Sequence, residues 1–344
     1  MRRYTTGRPE LDSLLSELID KAGGSPEKEL LQEMMTTVLR LRDEEVDRGE
    51  LKIINTALKE LRYAFKVFEP YRGTRKTAVF GSARTPKTSP LYRQARDFGQ
   101  AIARRGWMVI TGGATGIMSA GNEGAGRENS FGVNIRLPFE QEANPIIAKD
   151  PKLINFKYFF TRKLIFLKES DATVLFPGGF GTHDEGFESL TLVQTGKAAP
   201  RPIVCIDPRG ASYWKSWRKF LEKELLRNAM IDSHDMDLIT FTHDVDEAVE
   251  AVVGFYRNYH SLRFVGEELV IRTQRPLSEG GLGRLNRDFR KITRRGKIHQ
   301  TANPLPEEEN EPETFGLSRL VFDFNRRDYS LLRKMIDRIN SEHV

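Results

Sequence analysis

The stretch Pro177-Gly178-Gly179-Phe180-Gly181-Thr182-His183-Asp184-Glu185 concentrates the residue types of a phosphate-handling site. Its glycines let backbone approach a ligand closely or take positive φ. It follows the β-rich run Ala172-Thr173-Val174-Leu175-Phe176 and precedes a helical pattern. A helix that starts at such a turn presents unpaired N–H groups and the positive end of its dipole, which suits a phosphate. Thr182 can cap that helix or donate its hydroxyl to the same phosphate. Glu185 falls in the first turn, where a carboxylate can grip sugar hydroxyls or act on a glycosidic bond. A Glu that merely complements the helix dipole is the alternative. The stretch does not fit the dinucleotide G-x-G-x-x-G pattern, and it lacks the lysine of a P-loop.

Arg162 lies 23 residues before Glu185, in the helical run Asn155-Phe156-Lys157 to Lys168-Glu169. From there it could pair with Glu185, a phosphate or a leaving base. Spacing alone favours a solvated surface arginine, and Lys163 beside it fits the surface better still. His183 and Asp184 occupy positions between the glycines and Glu185, and Glu188 follows one turn later on the same helix face. No cluster of residues with metal-ligand spacing is visible, and no metal or other cofactor is expected. The one cysteine, Cys205, sits in the apolar run PIVCID and reads as a buried strand residue in a reducing compartment.

These residues need a scaffold, and the middle of the chain supplies one. Strand candidates at 77–81, 107–111, 131–137, 172–176, 202–206 and 238–241 alternate with helical stretches. Such alternation implies an α/β fold, a Rossmann-like doubly wound parallel sheet with ligands at the carboxyl ends of its strands. Two further glycine junctions sit at such ends: Gly81-Ser82-Ala83-Arg84, and Gly112-Gly113-Ala114-Thr115-Gly116-Ile117-Met118. Many α/β folds need glycine for tight connections, so each alone says little. Three at successive strand ends point to a nucleotide-like ligand.

Residues 1–72 read as a helical extension, with Leu11, Leu14, Leu15 and Ile19 at helical spacing and Ser25-Pro26 opening a second helix. The sheet domain is expected over 73–260. Residues 261–344 read as a small βαβα appendage, with strands at 269–273 and 319–324, helices at 280–295 and 326–340, and an acidic loop at 303–314. The 344 residues carry 54 basic and 48 acidic side chains, a formal charge of +6. Residues 255–300 hold 11 basic against 4 acidic, with Arg284, Arg287, Arg290, Lys291, Arg294, Arg295 and Lys297 prominent among them. That surface reads as a solvated helix face first, then an interface with the acidic loop, then a regulatory anion site. No apolar run approaches the ~20 residues that span a bilayer. The Arg pair near the N-terminus has no apolar run after it, so no secretory signal is expected.

The string PGGFGTHDE resembles the PGGxGTxxE signature of the LONELY GUY family, the cytokinin riboside 5′-monophosphate phosphoribohydrolases and nucleotide 5′-monophosphate nucleosidases often labelled lysine decarboxylases. GSAR, TGGATGIM, TRK, LVQTGK and RPIVCID support it, and the likeness covers about residues 75 to 258. The resemblance implies an N-glycosidase that splits a nucleoside 5′-monophosphate, AMP or a cytokinin-type nucleotide, into free base and ribose 5-phosphate. It implies catalytic roles for Arg162 and Glu185, and phosphate binding by Gly178, Gly179, Gly181 and Thr182. Ser82, Gly112, Gly113, Gly116 and Met118 then lie near the nucleotide. Ala114 and Ile117 depart from the commoner Gly and Leu of the family. A cytoplasmic homodimer or higher homo-oligomer is implied, and a nucleic-acid partner is not. The exposed-or-core question for Tyr158-Phe159-Phe160 is read as core or dimer packing. The competing class is a non-catalytic Rossmann protein, like the molybdenum cofactor carriers or the DNA-processing protein A group. Lysine decarboxylation would need a PLP-binding lysine in a recognisable setting, and none is seen.

Overall fold

The computed structural model describes residues 4–137, 142–308 and 311–342. The chain clusters into two compact units, Met1–Tyr63 and Ala64–Val344. The first is helical: α1 (Pro9–Lys21), α2 (Lys28–Asp43) and the start of α3 (Arg48–Phe68). Pro9 opens α1, where its missing N–H costs nothing. Leu14, Leu18, Leu30, Met34 and Val38 remain exposed on these helices.

The second unit opens with β1 (Lys76–Phe80), α4 (Pro90–Arg104), β2 (Met108–Thr111), α5 (Ile117–Ala125), β3 (Ser130–Ile135) and β4 (Leu153–Phe156). It continues through α6 (Phe159–Glu169), β5 (Ala172–Leu175), α7 (Phe180–Gln194), β6 (Ile203–Ile206), α8 (Tyr213–Phe220), β7 (Ile239–Thr242) and α9 (Val245–Gly254). The seven strands form one parallel sheet in the order β4-β3-β2-β1-β5-β6-β7. It is the doubly wound sheet the sequence predicts. Val79, Val109, Val174 and Val204 are fully buried between helix layers, as strands covered on both faces require. On one face they meet Ala95, Phe98 and Ile102 of α4, Ile117 and Ala120 of α5, and Ala248 and Val252 of α9. Cys205 is buried on β6. Strand order reverses between β1 and β5, which makes their carboxyl ends the expected ligand crevice.

The tail folds as β8 (Tyr259–Val265), β9 (Glu268–Thr273), α10 (Glu279–Asp288), β10 (Thr293–Thr301), β11 (Ser318–Phe324) and α11 (Tyr329–Ser341). Its four strands form an antiparallel sheet, β10-β11-β9-β8. The order is therefore ββαββα, not the expected βαβα. The predicted helix over 280–295 stops at Asp288, and β10 follows. Strand β10 escapes a hydrophobic reading because it lies at the sheet edge, with Arg294, Arg295, Gly296 and Lys297 exposed. Charged side chains on an edge strand discourage pairing with other chains.

Among the described residues the acidic loop does not pair with the basic run 284–297. Glu308, fully buried, instead binds Arg319 (2.6 Å) and Arg272 (2.6 Å), and Glu311 binds Arg263 (2.6 Å). Residues 309 and 310 of that loop lie outside the described residues. Among the described residues no helix is long and apolar enough to cross a membrane.

Candidate active site

The first and third glycine junctions meet directly. Ser82, just after β1, donates its N–H to the carbonyl of Pro177, just after β5 (3.1 Å). A Cβ on Gly178 would stand 2.1 Å from Thr182 Oγ1 and 3.0 Å from Ser82 N. Only glycine lets these turns close on each other.

The second junction braces the first. Gly116 has φ +64, and a Cβ there would lie 2.2 Å from the carbonyl oxygen of Ser82. Ile117 N–H donates to that same carbonyl (3.0 Å), and Thr115 Oγ1 donates to Ala83 O (2.9 Å). A buried polar network holds the brace in place. Thr111 Oγ1 donates to Asn122 Oδ1 (2.8 Å), and Asn144 Nδ2 donates to Asn122 Oδ1 (3.0 Å) and Gly113 O (3.1 Å). Thr111, Asn122 and Asn144 are at most 1% exposed, so their satisfied bonds fix one arrangement. Sequence reading missed Asn122 and Asn144, which carry no motif.

Between the junctions lies a cleft of about 1010 Å³. It is lined by Ser82, Met118, Arg162, Gly178, Gly179, Gly181, Thr182 and Glu185, among others. Gly112, Gly113 and Gly116 do not line it. They act from behind: a Cβ on Gly112 would meet Met118 Sδ at 2.6 Å and Arg162 Nη2 at 2.7 Å. Glycine at 112 thus leaves room for the guanidinium. A second hollow of about 770 Å³ shares Leu91, Pro177 and His183 with the cleft and extends to Tyr213 and Trp217.

Helix α7 begins at Phe180 beyond Gly179, so the positive end of its dipole faces the cleft. Glu185, on its second turn, is 6% exposed. Burial pushes its carboxyl up to about 7, against the pull of Lys163 and Arg162, while Glu188 and Asp184 push the same way as burial. Arg162 comes from the first turn of α6. Its Nε donates to Val133 O (2.9 Å), and its guanidinium lies 5.1 Å from the centre of the Phe166 ring. Burial lowers its pKa, and Glu185 and Asp184 oppose that shift. Arg162 is therefore no solvated surface arginine, but it forms no ion pair within 4 Å among the described residues.

Lys163 is the larger surprise. Its side chain is 16% exposed, with Nζ 2.6 Å from Glu188, 2.9 Å from Asp184 and 3.5 Å from Glu185. Burial lowers its pKa, but the hydrogen bonds to Glu188 and Asp184 and the charge of Glu185 raise it overall, so it is a cation at neutral pH. One lysine thus holds three carboxylates of α7. The only sequence signal was the three-residue spacing of Glu185 and Glu188 on one helix face.

His183 lines the cleft, with Nε2 2.7 Å from the Tyr213 hydroxyl and its ring among Tyr213, Trp214 and Trp217. Burial lowers its pKa, which favours the neutral ring. Phe159 and Phe160 are 52% and 55% exposed, so they are not core; Phe159 borders the cleft.

Residues 113–252 match the family model described as a possible lysine decarboxylase. The cytokinin riboside 5′-monophosphate phosphoribohydrolase of Mycobacterium tuberculosis is 28% identical over 183 residues, 51% of this chain and 92% of that protein. The α/β core is similar to the LONELY GUY family. The Mycobacterium marinum phosphoribohydrolase is likewise 28% identical, over 53% of this chain and 95% of its own. Half of the present chain spans these LONELY GUY relatives almost completely, and the helical extension and the tail fall outside the match. The solved molybdenum cofactor binding protein of Rippkaea orientalis is similar over 52% of this chain and 94% of its own, at 20% identity and a TM-score of 0.37.

Proposed function

We propose that the protein hydrolyses the N-glycosidic bond of a nucleoside 5′-monophosphate, AMP or a cytokinin-type nucleotide, giving free base and ribose 5-phosphate. The observation that carries this reading is a buried carboxylate, Glu185, sharing one cleft with the N-terminus of α7 and the Arg162 guanidinium. The relatives' names support the same reaction.

In this reading Gly178, Gly179, Gly181 and Thr182 hold the 5′-phosphate at the start of α7. Ser82 and Met118 border the nucleotide, with Gly112, Gly113 and Gly116 shaping that wall. The ribose then lies beside Glu185. As the C1′–N bond lengthens, its electron pair leaves with the base and positive charge builds on the sugar. The Glu185 carboxylate stabilises that charge and takes a proton from the water whose oxygen joins C1′; that proton then passes to the departing base, which leaves neutral and restores the carboxylate. A group that titrates near 7 suits this work, because it is ionised yet still basic at neutral pH. Arg162 stays protonated and orients the leaving base electrostatically. The same reading makes the protein a cytoplasmic homo-oligomer; the exposed Phe159, Phe160 and Leu164 on α6 support its oligomeric half.

The experiment is incubation with AMP and chromatography for adenine and ribose 5-phosphate. Release by the wild type and its loss in Glu185→Ala support the reading. No release, with Glu185→Ala indistinguishable from wild type, leaves a binding protein instead.

A further inference from the structure

The edge of the parallel sheet opposite the cleft has a hollow of its own. It lies where β1, β5 and β6 begin, beside the first strand of the tail, and its volume is about 600 Å³. Arg72, Arg75, Lys168 and Arg201 line it, against the carboxylates of Asp171 and Glu313. Four permanent cations thus face two carboxylates.

One buried donor there lacks a partner, and a phenol beside it makes no hydrogen bond among the described residues: Tyr259, 2% exposed as a residue, lines the hollow. Its neighbour Tyr256 shows the contrast, donating its hydroxyl to Asp171 O (2.7 Å). Arg201 Nε is buried without a partner, although its Nη1 donates to Leu167 O (2.8 Å) and Ser170 O (2.7 Å). Those bonds lock the guanidinium in place. Arg75 is equally fixed, 3.7 Å over the Tyr256 ring and 2.9 Å from Asp171. Arg72 is exposed and forms no ion pair among the described residues. Buried donors that go unused are costly, so sites that keep them usually serve a ligand or an ordered water.

We propose that this hollow binds a phosphate-bearing small molecule, at a site separate from the cleft. The Tyr259 hydroxyl and Arg201 Nε donate to phosphoryl oxygens, and Arg72 closes over them from the solvent side, with Lys168, which pairs with Glu169 (2.7 Å), adding its charge at the mouth. The volume exceeds that of one phosphate and suits a diphosphate or a sugar phosphate. Rigid cations on one wall and adaptable ones at the mouth are the usual means of holding such an anion.

The test is isothermal titration of the full chain with inorganic pyrophosphate. Two sites are expected in the wild type. Thr182→Val should remove the cleft site and leave the second. Arg72→Gln, at an exposed position that folding does not need, should weaken the second by about tenfold, the scale of a lost charge-assisted bond. Tyr259→Phe should weaken it similarly, with circular dichroism confirming the fold. Binding abolished by Thr182→Val alone, or unmoved by both Arg72→Gln and Tyr259→Phe, overturns the proposal and assigns the hollow to water. A single site that survives Thr182→Val and fails in the Arg72 variant supports the hollow while counting against the nucleotide reading of the cleft.

Discussion

Replacing Lys163 with Met should move the pH dependence of base release without destroying the cleft. Lys163 Nζ lies 3.5 Å from Glu185 and holds that carboxyl down, against the burial that raises it to about 7. At an effective dielectric near 20, a unit pair at this distance interacts by about 4–5 kcal/mol before solvent and neighbours are counted. Lys163 divides its charge among three carboxylates, so a net shift of about one to two pK units is the reasonable expectation, at about 1.4 kcal/mol per unit. The removed cation also leaves Asp184 and Glu188 unscreened, which pushes in the same direction. Raising a carboxyl from 7 to 8 or 9 lowers its ionised fraction at pH 7 from about one half to about 9% or 1%. The rate at pH 7 should therefore fall about 5- to 50-fold. At pH 9.5 the variant should recover to within about twofold of wild type, because both forms are then mostly ionised. The assay is kcat/KM for AMP from pH 5.5 to 9.5, with Lys163→Arg as the control that keeps the charge. A loss that is equal at every pH would mean that Lys163 only holds structure. An unmoved acid limb would mean that Glu185 is not the group whose ionisation limits the rate.

Three other changes test the scaffold. Gly178→Ala should raise KM for AMP about tenfold or more and lower the melting temperature as well, because its Cβ would strike Thr182 Oγ1 and Cβ and crowd the Ser82 backbone nitrogen, which rotation of one side chain cannot relieve; an unchanged KM would remove Thr182 from the phosphate site. Gly116→Ala meets a backbone carbonyl at positive φ instead, and should cost about 2–5 kcal/mol in urea unfolding; a wild-type midpoint would contradict the bracing role. Glu308→Ala leaves the buried Arg319 without its ion-pair partner and Arg272 with Glu311 alone, and should destabilise the chain by about 3–5 kcal/mol. The Glu308 carboxyl is held below its usual range: burial raises it, but the Leu305 N–H, Arg319 and Arg272 outweigh that. Its stabilisation is thus complete above the unfolded-state value near 4.5 and fades as pH falls through the lower folded value. Glu308→Gln should flatten this acid limb of the thermal-stability profile, and an unaltered limb would point to other carboxylates.

The parallel sheet was legible because its buried strands are apolar on both faces and alternate with amphipathic helices. Its fourth strand, Leu153–Phe156, was not, since four residues with one exposed side chain leave little pattern. The tail failed for a related reason. Strand β8 follows α9 with only a short turn, and its mixed sequence Tyr-His-Ser-Leu-Arg-Phe-Val shows partial burial along most of its length. Strand β10 is an exposed edge whose arginines and lysine read as a helix face. The hydrophobic patterns behind sequence prediction report burial, so elements at the rim of a sheet are the ones they lose.

The same division runs through the site. The glycine turns were legible because each constraint is local: positive φ, a close backbone approach or a helix start is written in the residue itself. The electrostatics were not, because the groups that set them are distant in sequence. Twenty-two residues separate Lys163 from Glu185, and they meet only because α6 and α7 flank β5 and begin at the same edge of the sheet. A lysine next to an arginine on a helix reads as solvated until the neighbouring helix supplies three carboxylates. Arg162 differs in kind. It keeps its charge with a carbonyl and two rings for company and no carboxylate within 4 Å. The two adjacent cations therefore divide the work: Lys163 neutralises the wall of α7, and Arg162 remains free to act on whatever enters the cleft.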